Sequence, residues 1–325
     1  MRIARLLLIA SLVPLQAPAL ALSAEGRTDV LHDLQQGRAD AAIHLLEPAT
    51  AGDNRDAEAQ QFLCRLALQL EQWDNAITAC EKAVAIDGNN SNNHLWYGRS
   101  LGEKADRVSF IKAYGLAKRV KAEFEIAAAL DPRNAEALSA LGEYYTEAPG
   151  IVGGGKDKAA AVADKLDAVD HARAEELRGR IAASNKDTTA AEQHFREAIT
   201  ASRRPASYWM VLGSFYQKQN DLARMQAAIH SGLEADGGHG EPLVDAAHLL
   251  TRAGQDPQSA IRLLREYLAS PEKSEDEPAF RVHLLLASLL NKQGDTAGAA
   301  REIQAATAIA SVYHPTKQVA TNTGR

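Results

Sequence analysis

The sequence predicts an all-α protein in which antiparallel helix pairs stack into a solenoid. Alanine is the commonest of the 325 residues and aromatic residues make up only 5%, a balance that favours closely packed helices over β-sheets. Apolar residues recur three and four positions apart, which places them on one stripe of a helix. Because these stripes return about every 34 residues, we expect one elongated array rather than two globular domains.

Small residues mark this repeat most clearly. Cys64 and Gly98 lie 34 positions apart, and Gly179, Gly213 and Ala247 follow one another at the same interval. A small residue in the first helix lets the second helix approach closely, and neither helix can bury its apolar stripe alone. Glycine or aspartate is expected to end one helix or to cap the next at each hairpin turn. These turn residues are Gly37, Asp74, Asp187, Asp221, Gly254 and Gly294-Asp295.

The segment Trp209-x2-Leu212-Gly213-x2-Tyr216 has the most complete form of the repeat. This pattern resembles the tetratricopeptide repeat (TPR). The resemblance implies a TPR-type α-solenoid of about eight antiparallel helix pairs that form a right-handed superhelix. It places the array at residues 22–311, with repeats near 24–54, 57–90, 91–134 (with an insertion), 135–171 (with a glycine-rich turn), 172–205, 206–239, 240–278 and 280–311.

The first 21 residues are typical of a cleaved signal peptide. Arg2 and Arg5 precede an apolar run at positions 6–13, and residues 19–21 supply the small side chains that a signal peptidase requires. The run is too short to span a bilayer, which takes about 20 residues. We therefore expect a soluble, periplasmic or secreted protein without a stable membrane anchor. The polar residues 312–325 are expected to form a disordered tail.

Two cysteines in an exported chain predict a disulfide. Cys64 and Cys80 are equidistant from Gln72, which lies in the turn of a predicted helix hairpin, so the two cysteines stand at the same level of the pair. A bridge that closes a loop of this size stabilises the fold by about 3 kcal/mol. The alternative is a pair of buried free thiols that pack as small hydrophobic groups.

The glycine-rich segment 150–157 nearly matches a phosphate-binding loop. Asp157 stands where that motif has Ser or Thr, and the preceding residues have helix spacing where the motif requires a strand. We interpret the segment as an expanded hairpin turn, with Asp157 capping or beginning the next helix. Residues 114–160 also resemble the corresponding segment of exported bacterial TPR proteins.

The sequence predicts no catalytic, cofactor or metal site. The ten histidines form no pair at metal-ligand spacing, and no serine lies in a nucleophile-elbow motif. His94 and His283 are expected to be packing residues. A net charge of −6 with both signs interspersed disfavours a nucleic-acid partner.

One helix of each pair is expected to expose a ladder of side chains on the concave side of the array. Arg65 and Arg99 are 34 residues apart and therefore neighbours, and two guanidinium groups suit a carboxylate of a partner peptide. Alternatively, both are solvated or pair with local acids. The candidate partner-binding residues are Gln61, Arg65, Asn92, Leu95, Arg99 and Glu143.

These observations favour a non-catalytic exported scaffold that binds a protein or peptide partner in its concave groove. The alternative is a small-molecule or substrate-presenting component that works beside a transporter or an envelope enzyme. A pocket closed by the insertion at 108–117 and by the glycine loop would favour the alternative, whereas an open groove would favour the scaffold.

Overall fold

The computed structural model describes residues 21–51, 55–235 and 239–314. These residues form sixteen α-helices and one short 3-10 helix at Gly150–Val152, without a β-strand. Positions 1–20 of the predicted signal peptide and 315–325 of the predicted tail lie outside the described residues. The helices follow one another as eight pairs: α1 Ala24–Gln36 and α2 Ala39–Thr50; α3 Ala57–Gln69 and α4 Trp73–Ile86; α5 Ser91–Ala105 and α6 Phe110–Leu130; α7 Ala135–Glu147 and α8 Lys156–Asp167; α9 His171–Ser184 and α10 Thr188–Ala201; α11 Pro205–Lys218 and α12 Leu222–Ala235; α13 Glu241–Arg252 and α14 Pro257–Ala269; α15 Ala279–Lys292 and α16 Thr296–Ile309.

The turn within a pair repeats one backbone conformation. Just after the first helix, one residue adopts the left-handed conformation, which glycine accepts without strain and other residues adopt at a cost of about 1 kcal/mol. Six pairs have such a residue one or two positions before the cap of the second helix: Gly37 (φ 64°), Glu71 (φ 57°), Lys186 (φ 64°), Asn220 (φ 58°), Gly254 (φ 63°) and Gly294 (φ 84°).

Aspartate side chains then cap the second helix in several pairs. Oδ1 of Asp187 accepts a hydrogen bond from the backbone N–H of Ala190 at 3.0 Å, and Asp221 caps α12 in the same way. Asp74 differs from the prediction, because Gln72 is the residue before α4 and Asp74 lies inside its first turn.

Within a pair, the two helices are held together by small residues and, in the second pair, by a covalent bond. A Cβ atom on Gly179 of α9 would lie 2.6 Å from the ring of Phe195 on α10, so only glycine lets these helices pack this closely. The predicted Cys64–Cys80 disulfide is present and joins α3 to α4, with the two Cα atoms 5.2 Å apart. Both cysteine side chains are fully buried.

The two ends of the described array contact each other. The backbone N–H of Ser311 donates to the carboxylate of Asp40 at 2.9 and 3.0 Å, and Nε2 of Gln36 donates to the carbonyl oxygen of Pro271 at 3.0 Å. Phe280 of α15 is fully buried in one apolar core with side chains of α1, α2 and α3. The array is therefore closed on itself, whereas the sequence predicts an elongated one.

Gly37 explains how the ends approach so closely. Its Cα faces the backbone of Pro278 and Ala279 at the start of α15, where a Cβ atom would collide with the Ala279 nitrogen. Closure also depends on a small rotation between successive pairs, which accumulates along the array. A repeat length of 34 residues predicts stacking but does not specify that rotation.

Candidate functional site

The first helix of each central pair lines the inner face of the closed array. Cavities on this face are bounded mainly by side chains of α3, α5, α6, α7, α9, α11 and α13, and by the loop at residues 270–278 between α14 and α15. Two of these cavities have volumes of about 600 Å³ each, and a third, between α9, α11 and α13, has about 410 Å³. We call this surface the inner face.

Two arginines and a tryptophan form the centre of the inner face near α3 and α5. Cζ of Arg65 lies 5.1 Å from the ring centroid of Trp96, and Cζ of Arg99 lies 4.5 Å from the same ring. Arg65 also contacts the ring of Phe62 at 5.3 Å. Cations over an aromatic face are attracted by the ring quadrupole, so these side chains hold one another in place. We call Arg65, Trp96 and Arg99 the arginine–tryptophan stack.

The 270–278 loop places a carboxylate on this stack. Nε of Arg65 donates to Oε1 of Glu275 at 2.9 Å, and a second bond joins Nη2 to Oε2, so the pair is bidentate. Nε2 of Gln69 donates to the carbonyl oxygens of Glu275, at 3.1 Å, and of Leu34, at 3.0 Å. The Arg65 position is therefore a carboxylate-binding position that the chain itself occupies.

Arg99 is the more accessible arginine. Its Nη2 donates to Oε2 of Glu136 at 3.2 Å, and the two side chains are 33% and 51% exposed. An ion pair this exposed contributes about 0–1 kcal/mol. A partner can therefore exchange its own carboxylate for Glu136 at little cost.

The inner face also carries carboxylates with raised pKa values. Burial, together with the carboxylates of Glu241 and Glu277, raises the pKa of Asp245 to about 7. Burial likewise raises the pKa of Glu143, against the lowering effect of Arg180, whose Nε lies 3.7 Å from Oε1 of Glu143. The inner face thus carries carboxylates on α7 and α13 as well as the arginines on α3 and α5, and Glu143 lines the same cavity as Arg99.

The structure brings together some of the sequence-predicted partner-binding residues. Arg65 and Arg99 meet around Trp96, and Glu143 lies on the same face beside a 600 Å³ cavity. Asn92 is exposed, and its Oδ1 accepts a hydrogen bond from Asn134 at 3.0 Å.

Gln61 and Leu95 lie in the interior instead. Leu95 is fully buried, and Nε2 of Gln61 donates to Oδ1 of the buried Asn93 at 2.6 Å. Both side chains pack between helices, which removes them from the surface that a partner touches.

Sequence reasoning missed two residues at the centre of the site. Trp96 directly follows Leu95, and consecutive side chains of a helix point about 100° apart around its axis. The available signal was that Trp96 is one of only three tryptophans in a chain with few aromatic residues. Glu275 carries no comparable signal, because it lies in a loop 210 residues away from Arg65.

The glycine loop forms a compact turn rather than a phosphate cradle. It follows helix α7, and Gly153 adopts φ 100°. Nζ of Lys156 donates to the carbonyl oxygen of Ser184 at 2.9 Å and to Asn185, both in the next hairpin. Helix α8 begins at Lys156, so Asp157 lies in its first turn.

This turn and the start of α6 border one of the larger cavities. Ala113 and Ala117 of α6, and Pro149 and Val152 of the glycine loop, line the 600 Å³ cavity between α5 and α7. The cavity remains open to solvent on one side.

Two histidines that the sequence predicts as packing residues pair with glutamates of the neighbouring helix. No group of three or more metal-ligating side chains is found in the described ranges. Nδ1 of His94 lies 2.6 Å from Oε2 of Glu123 and Nδ1 of His283 lies 2.7 Å from Oε2 of Glu302, so each histidine joins the two helices of its pair. Among the helices that the structure describes, none has the length and apolar content needed to cross a bilayer.

Comparison with family models agrees with this architecture. Models described as tetratricopeptide repeat match residues 33–100 and residues 153–207 and 244–313, which together make up more than half of the chain. The chain belongs to the tetratricopeptide repeat family.

One of the solved structures that this chain resembles has the same fold at a TM-score of 0.50. A thermophilic TPR protein from Thermus thermophilus is 18% identical over 59% of this chain and 99% of its own, with a TM-score of 0.50. A tetratricopeptide repeat protein from Parabacteroides merdae is 14% identical over 92% of this chain and 97% of its own, with a TM-score of 0.46. The comparison with curated proteins finds no match.

Proposed function

We propose that this chain is a non-catalytic scaffold that binds a protein or peptide partner on its inner face, at the arginine–tryptophan stack. Membership of a family of repeat scaffolds supports the general role. The observation that carries the assignment is the half-buried Trp96 between two guanidinium groups, beside a cavity of about 600 Å³. Aromatic and arginine side chains in such pockets contribute most of the affinity in protein interfaces.

The stack fits an extended peptide that carries an apolar side chain next to a carboxylate. The apolar side chain would lie in the cavity against Trp96, and the carboxylate would replace Glu136 on Arg99. Asn92 and Glu143, at the edges of this region, would contact flanking residues of the peptide. Arg65 takes part directly only if Glu275 leaves it.

We also propose that the chain is exported to the periplasm or secreted. The leader pattern at residues 1–21 supports this location, and a buried disulfide is typical of oxidising compartments. N-terminal sequencing of the chain purified from its native envelope tests the proposal. We expect Leu22 as the first residue, and an intact Met1 in an unprocessed cytoplasmic chain would contradict export.

Crosslinking in intact cells followed by mass spectrometry identifies the partner, and binding to variants then tests the site. We expect Trp96→Ala and Arg99→Ala each to weaken binding about tenfold or more, since both remove a central contact. Arg262→Ala is the matched control, because Arg262 lies on the second helix of its pair in an exposed ion pair with Glu266.

The variants need to keep the fold for this test to be valid. Helical circular dichroism and the urea midpoint should be close to those of the parent chain. Binding that survives Trp96→Ala and Arg99→Ala in a folded chain would contradict the proposed site.

The cavity between α5 and α7 favours a second candidate function, the presentation of a small molecule. Its walls include the start of α6 and the glycine loop, the two segments that exceed the 34-residue repeat. Native mass spectrometry of chain purified from its own host would show a bound molecule. Ala117→Trp, which fills the cavity, should remove that molecule and leave the Trp96-dependent binding unchanged.

A further inference from the structure

Helix α6 extends beyond the helix that it packs against. It has 21 residues where α5 has 15. Gly98 faces Phe124, and Gly102 faces Val120, so the end of α5 lies level with about position 117 of α6. The first two turns of α6, residues 110–116, therefore project past the end of α5. We call this segment the α6 tip.

The α6 tip displays two large apolar side chains to water. Phe110 is 78% exposed and Ile111 is 85% exposed, more than any other large apolar side chain in the described residues. Isolated apolar residues on a surface are common. Phe110 and Ile111, however, both lie at the end of a projecting helix and point about 100° apart around its axis, so together they make the tip apolar.

The sequence around the tip is basic in an otherwise acidic chain. Residues 104–121 include six Lys or Arg and one Asp, whereas the whole chain has a net charge of −6. Four of the six have carboxylate partners: Lys104 with Asp74, Arg107 with Glu103, Arg119 with Glu81 and Lys121 with Glu125.

The two lysines nearest the apolar pair differ from these four. Within the described ranges, no ion pair is found for Lys112 or for Lys118, whose Nζ lies 4.6 Å from the ring centroid of Tyr114. The tip thus combines exposed apolar side chains with cations whose charge is not neutralised by a neighbouring carboxylate.

We propose that the α6 tip binds the surface of membranes rich in anionic phospholipids. Phe110 and Ile111 would enter the boundary between headgroups and acyl chains, while Lys112 and Lys118 contact the phosphates. Helical segments with apolar groups on one side and lysines beside them bind membranes in this way, and each nearby cation adds attraction to an anionic leaflet. None of these four side chains lines an inner-face cavity, and the inference goes beyond the proposed scaffold function.

The size and shape of the patch favour a membrane over a second protein. A stable protein interface buries about 800 Å² on each partner and surrounds its central residues with further contacts. Two side chains on a projecting tip offer neither the area nor a surrounding rim. Insertion into a bilayer interface requires only a small projecting apolar group and a favourable charge.

Vesicle flotation tests this proposal. The full chain and a chain that starts at Ser23 are mixed with vesicles of phosphatidylcholine alone or with about one third phosphatidylglycerol. The shorter chain ensures that the apolar segment at positions 6–13 is not the source of binding. We expect both chains to float with the anionic vesicles. When mixed with the neutral vesicles, the shorter chain should remain unbound at the bottom of the gradient.

Variants then assign the binding to the tip. Phe110→Ala with Ile111→Ala should lower the vesicle-bound fraction about tenfold, and Lys112→Glu with Lys118→Glu should remove the preference for anionic lipid. Ile303→Ala is the matched control, because Ile303 is an exposed aliphatic residue on α16. All variants should keep the parent urea midpoint, since the replaced side chains are exposed.

Three outcomes would overturn the proposal. They are the absence of binding to anionic vesicles, equal binding of the shorter chain to neutral and anionic vesicles, and unchanged binding of the Phe110→Ala/Ile111→Ala variant. A variant that keeps vesicle binding but loses a protein crosslink would assign the tip to a protein partner instead.

Discussion

Replacement of Gly37 by alanine measures how much the contact between the two ends of the array contributes to stability. Gly37 and Gly254 hold the same position in the turns of the first and seventh pairs, with φ angles of 64° and 63°. They differ in their surroundings. Gly37 faces the backbone at the start of α15, whereas a Cβ atom on Gly254 would meet nothing within 4 Å.

The structure gives the expected magnitudes. At Gly254, alanine adds only the left-handed backbone strain, about 1 kcal/mol. At Gly37, the Cβ would also collide with the Ala279 nitrogen and lie 2.8 Å from C and 2.9 Å from Cα of Pro278. Backbone atoms cannot rotate away, so the first turn and α15 have to separate. Partial exposure of Phe280 would then add about 2–3 kcal/mol.

Urea unfolding of Gly37→Ala and Gly254→Ala, followed by circular dichroism, measures both costs. We expect Gly37→Ala to lower the free energy of unfolding by about 2 kcal/mol or more beyond Gly254→Ala. Gly254→Ala is the matched control for backbone strain. An equal decrease in the free energy of unfolding in the two variants would show that the contact between the ends of the array does not contribute to stability in solution.

Three further predictions concern single features of the fold. Reduction of the Cys64–Cys80 bridge should lower the free energy of unfolding by about 3 kcal/mol, which urea unfolding with and without reductant would measure. Thiol titration of the unreduced chain should find no free cysteine. An unchanged urea midpoint after reduction would contradict the stabilising role of the bridge. Lys186→Gly should stabilise the chain by about 0.5–1 kcal/mol, because Lys186 has φ 64°. Lys82→Gly, at an exposed position in the interior of α4, should destabilise it by about the same amount. The pKa of Asp245 is raised to about 7 in the folded chain. Ionisation of Asp245 therefore lowers the free energy of unfolding as the pH rises above the pKa that this side chain has in the unfolded chain. Asp245→Asn should therefore stabilise by about 1–2 kcal/mol at about pH 8 and by nothing at about pH 4, and an equal effect at both would refute the pKa shift.

The sequence predicted those features that depend on neighbouring repeats. Cys64 and Cys80 belong to one hairpin, and their distances from the turn were enough to pair them. The left-handed turn residues Lys186, Asn220 and Gly254 follow one another at the same 34-residue interval as the apolar stripes. The sequence predicted Gly254 itself and, for the other two turns, the adjacent Asp187 and Asp221. Such features depend on contacts within a pair or between adjacent pairs, which a repeating pattern specifies directly.

The inner face was harder to predict, for two physical reasons. Leu95 and Trp96 differ by one position, and a periodic pattern does not resolve a rotation of about 100° between a core position and a surface position. The pairing of Arg65 with Glu275 depends on the sum of many small rotations between pairs, because 210 residues separate the two side chains. A local sequence pattern does not specify this accumulated rotation.

The contact between the first and last pairs changes how the chain responds to truncation. In a linear repeat protein, removal of a terminal repeat leaves the remaining interfaces intact, and the end repeats carry polar outer surfaces. Here the first pair shares a core with Phe280 of α15, so deletion of either terminal pair would uncover apolar surface at two places instead of one. During synthesis, the first pair also leaves the ribosome long before α15 does, and its apolar surface stays uncovered in the meantime.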